Sequence, residues 1–296
     1  MSGITEPRGG TKAVLRATSW LVYVFFYAPI LVLIIYSFSD NRNVGVWGGF
    51  TTAWYSDFAG DDNLTGALSN SIQIAIVATL VSVVLGTMSG LALERFRFRG
   101  KQVFDALLYL PVIIPDVTMA VMLLLFFTQA AQWFGFSKGF STIALSHIAF
   151  CISFVSIVVR ARLAGMDDTL EEAAMDLYAS RWQAFRHVTL PLIMPGILGG
   201  GLLAMTLSLD DVVITQFVTG PGWTTLPVFV FGLIRKGVTP LINAVSVVML
   251  AASIVLVLLS LAVERVRSDT PSIATDDPVD DDPHQDLRDG TIPRHI

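Results

Sequence analysis

Residues 167–196 read DDTLEEAAMDLYASRWQAFRHVTLPLIMPG, and they decide how the chain is laid out. This is the longest polar segment lying between two strongly apolar ones. It is too polar to cross a membrane and too regular for a loose loop. Leu170, Ala173, Ala174 and Leu177 recur at helical spacing, which predicts a short amphipathic helix. Thr169 precedes Glu171 and Glu172, so it is read as the N-cap, with acids in the first turn. Arg181, Arg186 and His187 fall toward the far end, where cations suit a helix C-terminus. Pro191 and Pro195 punctuate the segment before the next apolar run. A short amphipathic helical element between two apolar runs is a docking element for a partner.

The composition says where those runs lie. Of 296 residues, 53% are hydrophobic and 15% charged, and the mean hydropathy is +0.66. Soluble domains carry about 25% charged residues. The deficit, together with apolar runs of roughly 20 residues, puts the chain in a bilayer. The formal charge of −5 is uneven. Residues 268–296 hold eight acids and two bases; removing these from 24 acids and 19 bases leaves 16 and 17, so the body is nearly neutral. No basic face is interleaved with aromatics, so nucleic acid binding is not expected. The single cysteine, Cys151, lies in an apolar run and reads as a small buried residue. The first apolar run is longer than the core of a cleavable signal and has no small-residue cleavage site after it.

Six spans are expected, at about 19–38, 68–93, 104–128, 141–160, 195–218 and 242–263. Pro29 kinks the first. Gly86 and Gly90 in the second form a small-xxx-small pair that lets a neighbour approach. Trp47, Trp54 and Tyr55 suit the membrane interface. Residues 219–240 hold an apolar piece too short to span, expected to be re-entrant or interfacial. The layout divides into a polar N-terminal segment 1–18, a membrane domain 19–266 with the polar loop at 167–194, and an acidic tail 267–296 expected to be disordered. Basic residues near span ends outnumber those on the opposite side about threefold, so both termini and the 167–194 loop are expected in the cytoplasm.

Catalytic motifs are missing. There is no G-x-x-x-x-G-K-[ST], H-E-x-x-H or G-x-S-x-G, so neither nucleotide binding by a P-loop nor hydrolysis is expected of this chain. Nor is there a convincing internal repeat of the kind a stand-alone secondary transporter shows. His147 reads either as a proton-relay member or as a ring hydrogen-bonded to a neighbouring helix. Asp116, Asp210 and Asp211 fall inside apolar runs. A carboxylate at a bilayer centre costs about 2.5–3.5 kcal/mol or more, so such residues face a partner or a watery path. Asp116 is expected roughly 20 Å along a helix from Lys101. Neighbouring helical residues point about 100° apart, so Asp210 and Asp211 cannot share one lumen unless the helix breaks there. The three either line a route for a cation or cap and bridge helices.

EEAAMDLYASRWQAFRHVTLPLIMPG resembles the EAA loop of the membrane subunits of bacterial ABC importers. Glu172, Ala173, Ala174, Val188, Leu190 and Pro191 match that pattern in type and spacing. Tyr178 stands where the family usually has Gly, which puts the close turn between two short helices in question. A narrower likeness runs through 206–243, TLSLDDVVITQFVTGPGWTTLPVFVFGLIRKGVTPLIN, and Pro115-Asp116. That combination is similar to the second permease subunit of spermidine/putrescine importers.

The resemblance implies an all-α, six-span permease with a cytoplasmic coupling helix, the type I importer fold, in a bacterial inner membrane. It implies a second homologous permease, two P-loop ATPase subunits that hold the ATP and Mg, a periplasmic binding protein and a polyamine substrate. It implies no cofactor on this chain. Glu172 would face a basic residue of the ATPase, Ala173 and Ala174 would pack closely, and Leu177 and Leu190 would hold the helix to this chain. Other permeases for small amines or compatible solutes share the loop.

Overall fold

Lipid tails are as apolar as leucine, so helices in a bilayer meet where small residues let backbones close and polar groups bond across. In the computed structural model, which describes residues 9–167, 169–237 and 239–268, that meeting point is one helix. The elements are α1 (Gly9–Tyr36), α2 (Ala53–Gly60), α3 (Asp62–Arg95), α4 (Lys101–Ile113), α5 (Asp116–Phe134), α6 (Phe140–Leu163), α7 (Thr169–Asp176) and α8 (Arg181–Ala184). A π turn (Phe185–Thr189) then leads into α9 (Leu190–Asp210), followed by α10 (Val213–Val218), α11 (Leu226–Lys236) and α12 (Pro240–Ser268). One isolated β-bridge joins Ser39 and Phe50. Among the described residues six helices are long and apolar enough to cross a membrane: Lys12–Tyr36, Asp62–Arg95, Asp116–Phe134, Phe140–Leu163, Arg181–Asp210 and Pro240–Leu258.

The sixfold count agrees with the sequence expectation, but several bounds do not. The span expected at 104–128 is two helices. Pro115 offers no N–H and pushes Ile114 into an extended conformation (ψ 131°), so α4 stops at Ile113 and Asp116 opens α5. The span expected at 195–218 ends at Asp210 and begins earlier, since 181–210 is one continuous helical run. Pro191 and Pro195 do not separate it from the polar loop. Leu190 donates to the Phe185 carbonyl, five residues back, and the helix runs through this wider turn into Pro191. At the N-terminus helix already starts at Gly9, inside the segment expected to be polar and separate. Of the tail expected to be disordered, 267–296, Arg267 and Ser268 end α12 instead, and 269–296 lie outside the described residues.

α6 is the axis. Of its apolar window 61% is buried, against 33% for α3 and none for α1. Glycines on both neighbours make this possible. A Cβ added at Gly86 of α3 would lie 2.7 Å from Val155 Cβ, and one at Gly200 of α9 would lie 3.2 Å from Val155 Cα. Val155 is thus clasped from two sides. Around it Ile74, Ile143, Cys151, Val159, Ile193 and Ala204 complete the core. A second, smaller core gathers Phe58, Leu64, Leu226, Val230 and Val245 from α2, α3, α11 and α12. Its entry turn is held to α3: Asn70 Nδ2 donates to the carbonyls of Gly222 and Thr224, and the Leu226 N–H donates to Ser71 Oγ. Asp61 caps α3 by accepting from the N–H groups of Asn63 and Leu64, a contribution of about 1 kcal/mol.

Gly86→Ala should destabilise the protein by about 1–3 kcal/mol, because the new methyl meets a β-carbon that cannot swing away. Melting in detergent checks it, and adding Val155→Ala should recover part of the loss. An unchanged melting temperature for Gly86→Ala alone would contradict the clasp.

Candidate functional site

Two helix breaks face one another. At the first, α9 ends at Asp210, Asp211 is extended (φ −68°, ψ 125°) and α10 starts at Val213. A break exposes N–H groups that lipid cannot satisfy. Asp211 satisfies two of them. Oδ1 accepts from the Ile214 N–H at 3.2 Å, and Oδ2 accepts from the Thr215 N–H and the Thr215 hydroxyl, each at 2.7 Å. Asp211 therefore caps the start of α10. Its neighbour is different: Asp210 is exposed and its carboxyl meets no side-chain or backbone partner among the described residues.

The second break, at Ile114-Pro115, puts Asp116 in the first turn of α5. There the unpaired N–H groups favour a carboxylate. Asp116 is also exposed and unpartnered among the described residues. Both breaks open onto one cleft of about 440 Å³, lined by Asp116, Asp210 and Asp211 and walled by Met119, Phe150, Phe154 and Leu207. The condition set by helix geometry is met, since the helix does break between the paired acids. Two carboxyl groups thus project into an apolar-walled space, and a third stands fixed at its edge.

His147 is wholly buried on α6 behind this cleft. Nδ1 lies 2.7 Å from Ser208 Oγ and Nε2 lies 2.9 Å from Thr215 Oγ1. Of the two readings of this ring, the hydrogen bonds to neighbouring helices are present.

The polar loop is ordered by its own turns. The first helical residue of α7 is Thr169, so the cap is not its hydroxyl. The Asp167 carboxylate accepts from the Thr169 N–H at 3.0 Å, and this bond holds that carboxyl below its usual range. The end of α7 is a Schellman turn. The Tyr178 N–H donates to Met175 O and the Ala179 N–H to Ala174 O, with Tyr178 left-handed at φ 67°. The close turn therefore survives with Tyr in the glycine position. Ser180 and Gln183 then form a capping box at the start of α8, with Gln183 Oε1 accepting from the Ser180 N–H at 2.8 Å.

The residues matched to the EAA pattern divide by exposure. Glu172, Ala173 and Pro191 are exposed, and Ala174, Val188 and Leu190 are half-buried. Leu177 is 82% exposed and Tyr178 99%. Leu177 therefore does not hold α7 to this chain, contrary to expectation: it falls beyond the last helical residue, where the Schellman turn swings it outward. Glu171 does that work through an ion pair with Arg95 of α3. A further ion-paired hub joins Arg160 of α6 to Glu94 of α3 at 2.8 Å and to Asp105 of α4 at 2.5 Å. The sequence places Glu171 among the first-turn acids and counts Arg160 only toward the basic bias; Glu94 and Asp105 go unremarked there. The available signal was three acids and two bases near the ends of apolar runs on one side of the membrane.

Comparison with known proteins agrees with this architecture. Residues 82–267 match the family described as binding-protein-dependent transport system inner membrane component. The chain is 45% identical to the putrescine transport system permease protein PotI of Escherichia coli (strain K12), over 78% of this chain and 84% of that one. It is 38% identical to the spermidine/putrescine transport system permease protein PotC of the same strain, over 83% and 92%. Among solved structures, a bacterial ABC transporter involved in alginate import aligns with a TM-score of 0.69 at 17% identity, covering 88% of this chain and 96% of that one.

Tyr178→Gly should stabilise the loop by about 1 kcal/mol, since a left-handed backbone costs a side-chain-bearing residue about that much. The readout is slower amide exchange at Tyr178 and Ala179, and unchanged or faster exchange would contradict the strained turn.

Proposed function

Since the chain belongs to the family of inner membrane components of binding-protein-dependent transport systems, we propose that its cleft carries a small aliphatic amine, putrescine foremost, across the membrane. The observation that supports this reading is the pair of unpartnered carboxyl groups, Asp116 and Asp210, in one apolar-walled cleft. An ammonium group needs a carboxylate, and a polymethylene chain needs an apolar wall. At about 4 Å and an effective dielectric near 20, one such charge contact is worth about 4 kcal/mol before desolvation. Relatives named for putrescine and for spermidine/putrescine transport add to the support. A permease named for 2-aminoethylphosphonate in Salmonella typhimurium is 31% identical. Its phosphonate would meet two carboxylates of like charge here, so an amine without an acid group fits better.

The bias of basic residues toward one side supports a cytoplasmic location for both termini and for α7. Exposed Glu172, Ala173 and Tyr178, with half-buried Ala174, would then meet one of two P-loop ATPase subunits, which hold the ATP and Mg. Leu190 and Pro191 start the helix that leads from that contact to Asp210. A second homologous permease would complete the cleft. A binding protein in the periplasm would deliver the amine. For ATP to do work, the fit of α7 to the ATPase must differ between its states.

In a reconstituted complex, Asp116→Asn and Asp210→Asn should each raise the uptake KM for putrescine by about tenfold or more. Unchanged KM in both, with normal assembly, would remove the cation path. Glu172→Lys should leave putrescine-stimulated ATP hydrolysis at its basal rate or prevent ATPase binding. Full coupled uptake in that variant would remove Glu172 from the contact.

A further inference from the structure

The group around His147 lies behind the cleft rather than in it. Thr215 Oγ1 donates its proton to Asp211 Oδ2 at 2.7 Å. Its oxygen is left to accept, so His147 Nε2, 2.9 Å away, carries the proton it accepts. The same Nε2 lies 3.3 Å from Asp211 Oδ2. On the other side of the ring, Nδ1 is hydrogen-bonded to the Ser208 hydroxyl at 2.7 Å. Ser208 belongs to the last turn of α9 and Thr215 to the first turn of α10. One imidazole on α6 therefore pins both sides of the break, and its two nitrogens fix the ring completely.

What the pin controls is the residue between those anchors. Asp210 is adjacent to Asp211 and has no side-chain partner of its own among the described residues. Its place in the cleft is set by the backbone at the break. That backbone is held by Asp211 on the amides of Ile214 and Thr215 and by His147 across Ser208 and Thr215. No other buried ring or charge among the described residues bonds across this break.

We propose that His147 is a positioning residue for the cation path: it touches no substrate, and it sets the geometry of Asp210 by fixing Asp211 and the two helix ends. The proposal rests on the reading of the cleft as a cation path. Losing the pin leaves the fold's glycine-clasped core intact but lets Asp210 sample positions away from the cleft. The amine then binds less well, while the maximal rate of an assembled complex is kept.

The test is uptake of labelled putrescine by the complete reconstituted complex with its binding protein. His147→Ala should raise KM about tenfold with maximal rate per assembled complex nearly unchanged. His147→Gln, whose amide can donate to Thr215 Oγ1, should recover part of that rise. Combining His147→Ala with Asp210→Asn should raise KM little beyond Asp210→Asn alone, because both act on one contact. Unchanged KM in His147→Ala overturns the proposal, as does a double variant in which the two effects multiply. If His147→Ala fails to assemble, Ser208→Ala decides, since it removes only the tether to α9: a raised KM supports the pin and a wild-type KM overturns it. If Asp116→Asn and Asp210→Asn both leave KM unchanged, the cation path has failed and the proposal falls with it; if Asp210→Asn alone leaves it unchanged, the positioning proposal is overturned while a path along Asp116 stands. A rise in Asp210→Asn without one in His147→Ala overturns the positioning role alone.

Discussion

A helix that breaks inside a bilayer frees backbone groups that lipid cannot satisfy, and the centre of this molecule is arranged around two such breaks. At Asp210–Val212 the freed N–H groups of α10 find the Asp211 carboxylate. At Ile114-Pro115 the proline has no N–H to satisfy, and Asp116 stands in the first turn of the following helix. Only the first break is capped by an aspartate; at the second, Asp116 follows the proline without a cap hydrogen bond of its own. Both breaks open onto one space, where Asp211 is tied to the backbone while Asp116 and Asp210 line the cleft.

The scaffold that tolerates this is built on α6. Glycines on α3 and α9 let their backbones close on Val155, and His147, about two turns away, bonds across α9 and α10. At its far end α6 carries Arg160, which ties α3 and α4 together, while Arg95 of α3 ties down α7. Partly exposed ion pairs contribute about 0.2–1 kcal/mol each, so their value here is geometric. They make α7, α3, α6 and α4 one connected unit, and α4 ends at the break beside Asp116. Movement imposed on α7 would therefore reach the cleft along α4 as well as along α9.

Much of this was legible in the sequence. Six apolar runs gave six spans, and 100° per residue showed that Asp210 and Asp211 needed a break to share a lumen. The break itself was not legible. No proline or glycine marks Asp211–Val212; the interruption is held by the local cap of Asp211 on Ile214 and Thr215 and by the tertiary partner His147. Pro115 did mark its break, but an apolar run on both sides concealed it. In the loop, periodicity placed Leu177 on the inner face. Helix spacing cannot show that α7 stops one residue earlier, after which Leu177 points outward. Tyr178 is the converse case: its departure from glycine cast doubt on a turn that the Ala174 and Met175 carbonyls nonetheless hold.

The central claim is that the cleft favours cations. Val112 lines it, is exposed and carries no charge. In a complex with Cys151 replaced by Ala, Val112→Cys should react with a cationic thiol reagent about tenfold or more faster than with an anionic reagent of the same size, because a carboxylate-lined cleft with low-dielectric walls concentrates counter-ions. The preference should collapse when Asp116→Asn and Asp210→Asn are added. Equal rates for the two reagents with both aspartates present would contradict the account.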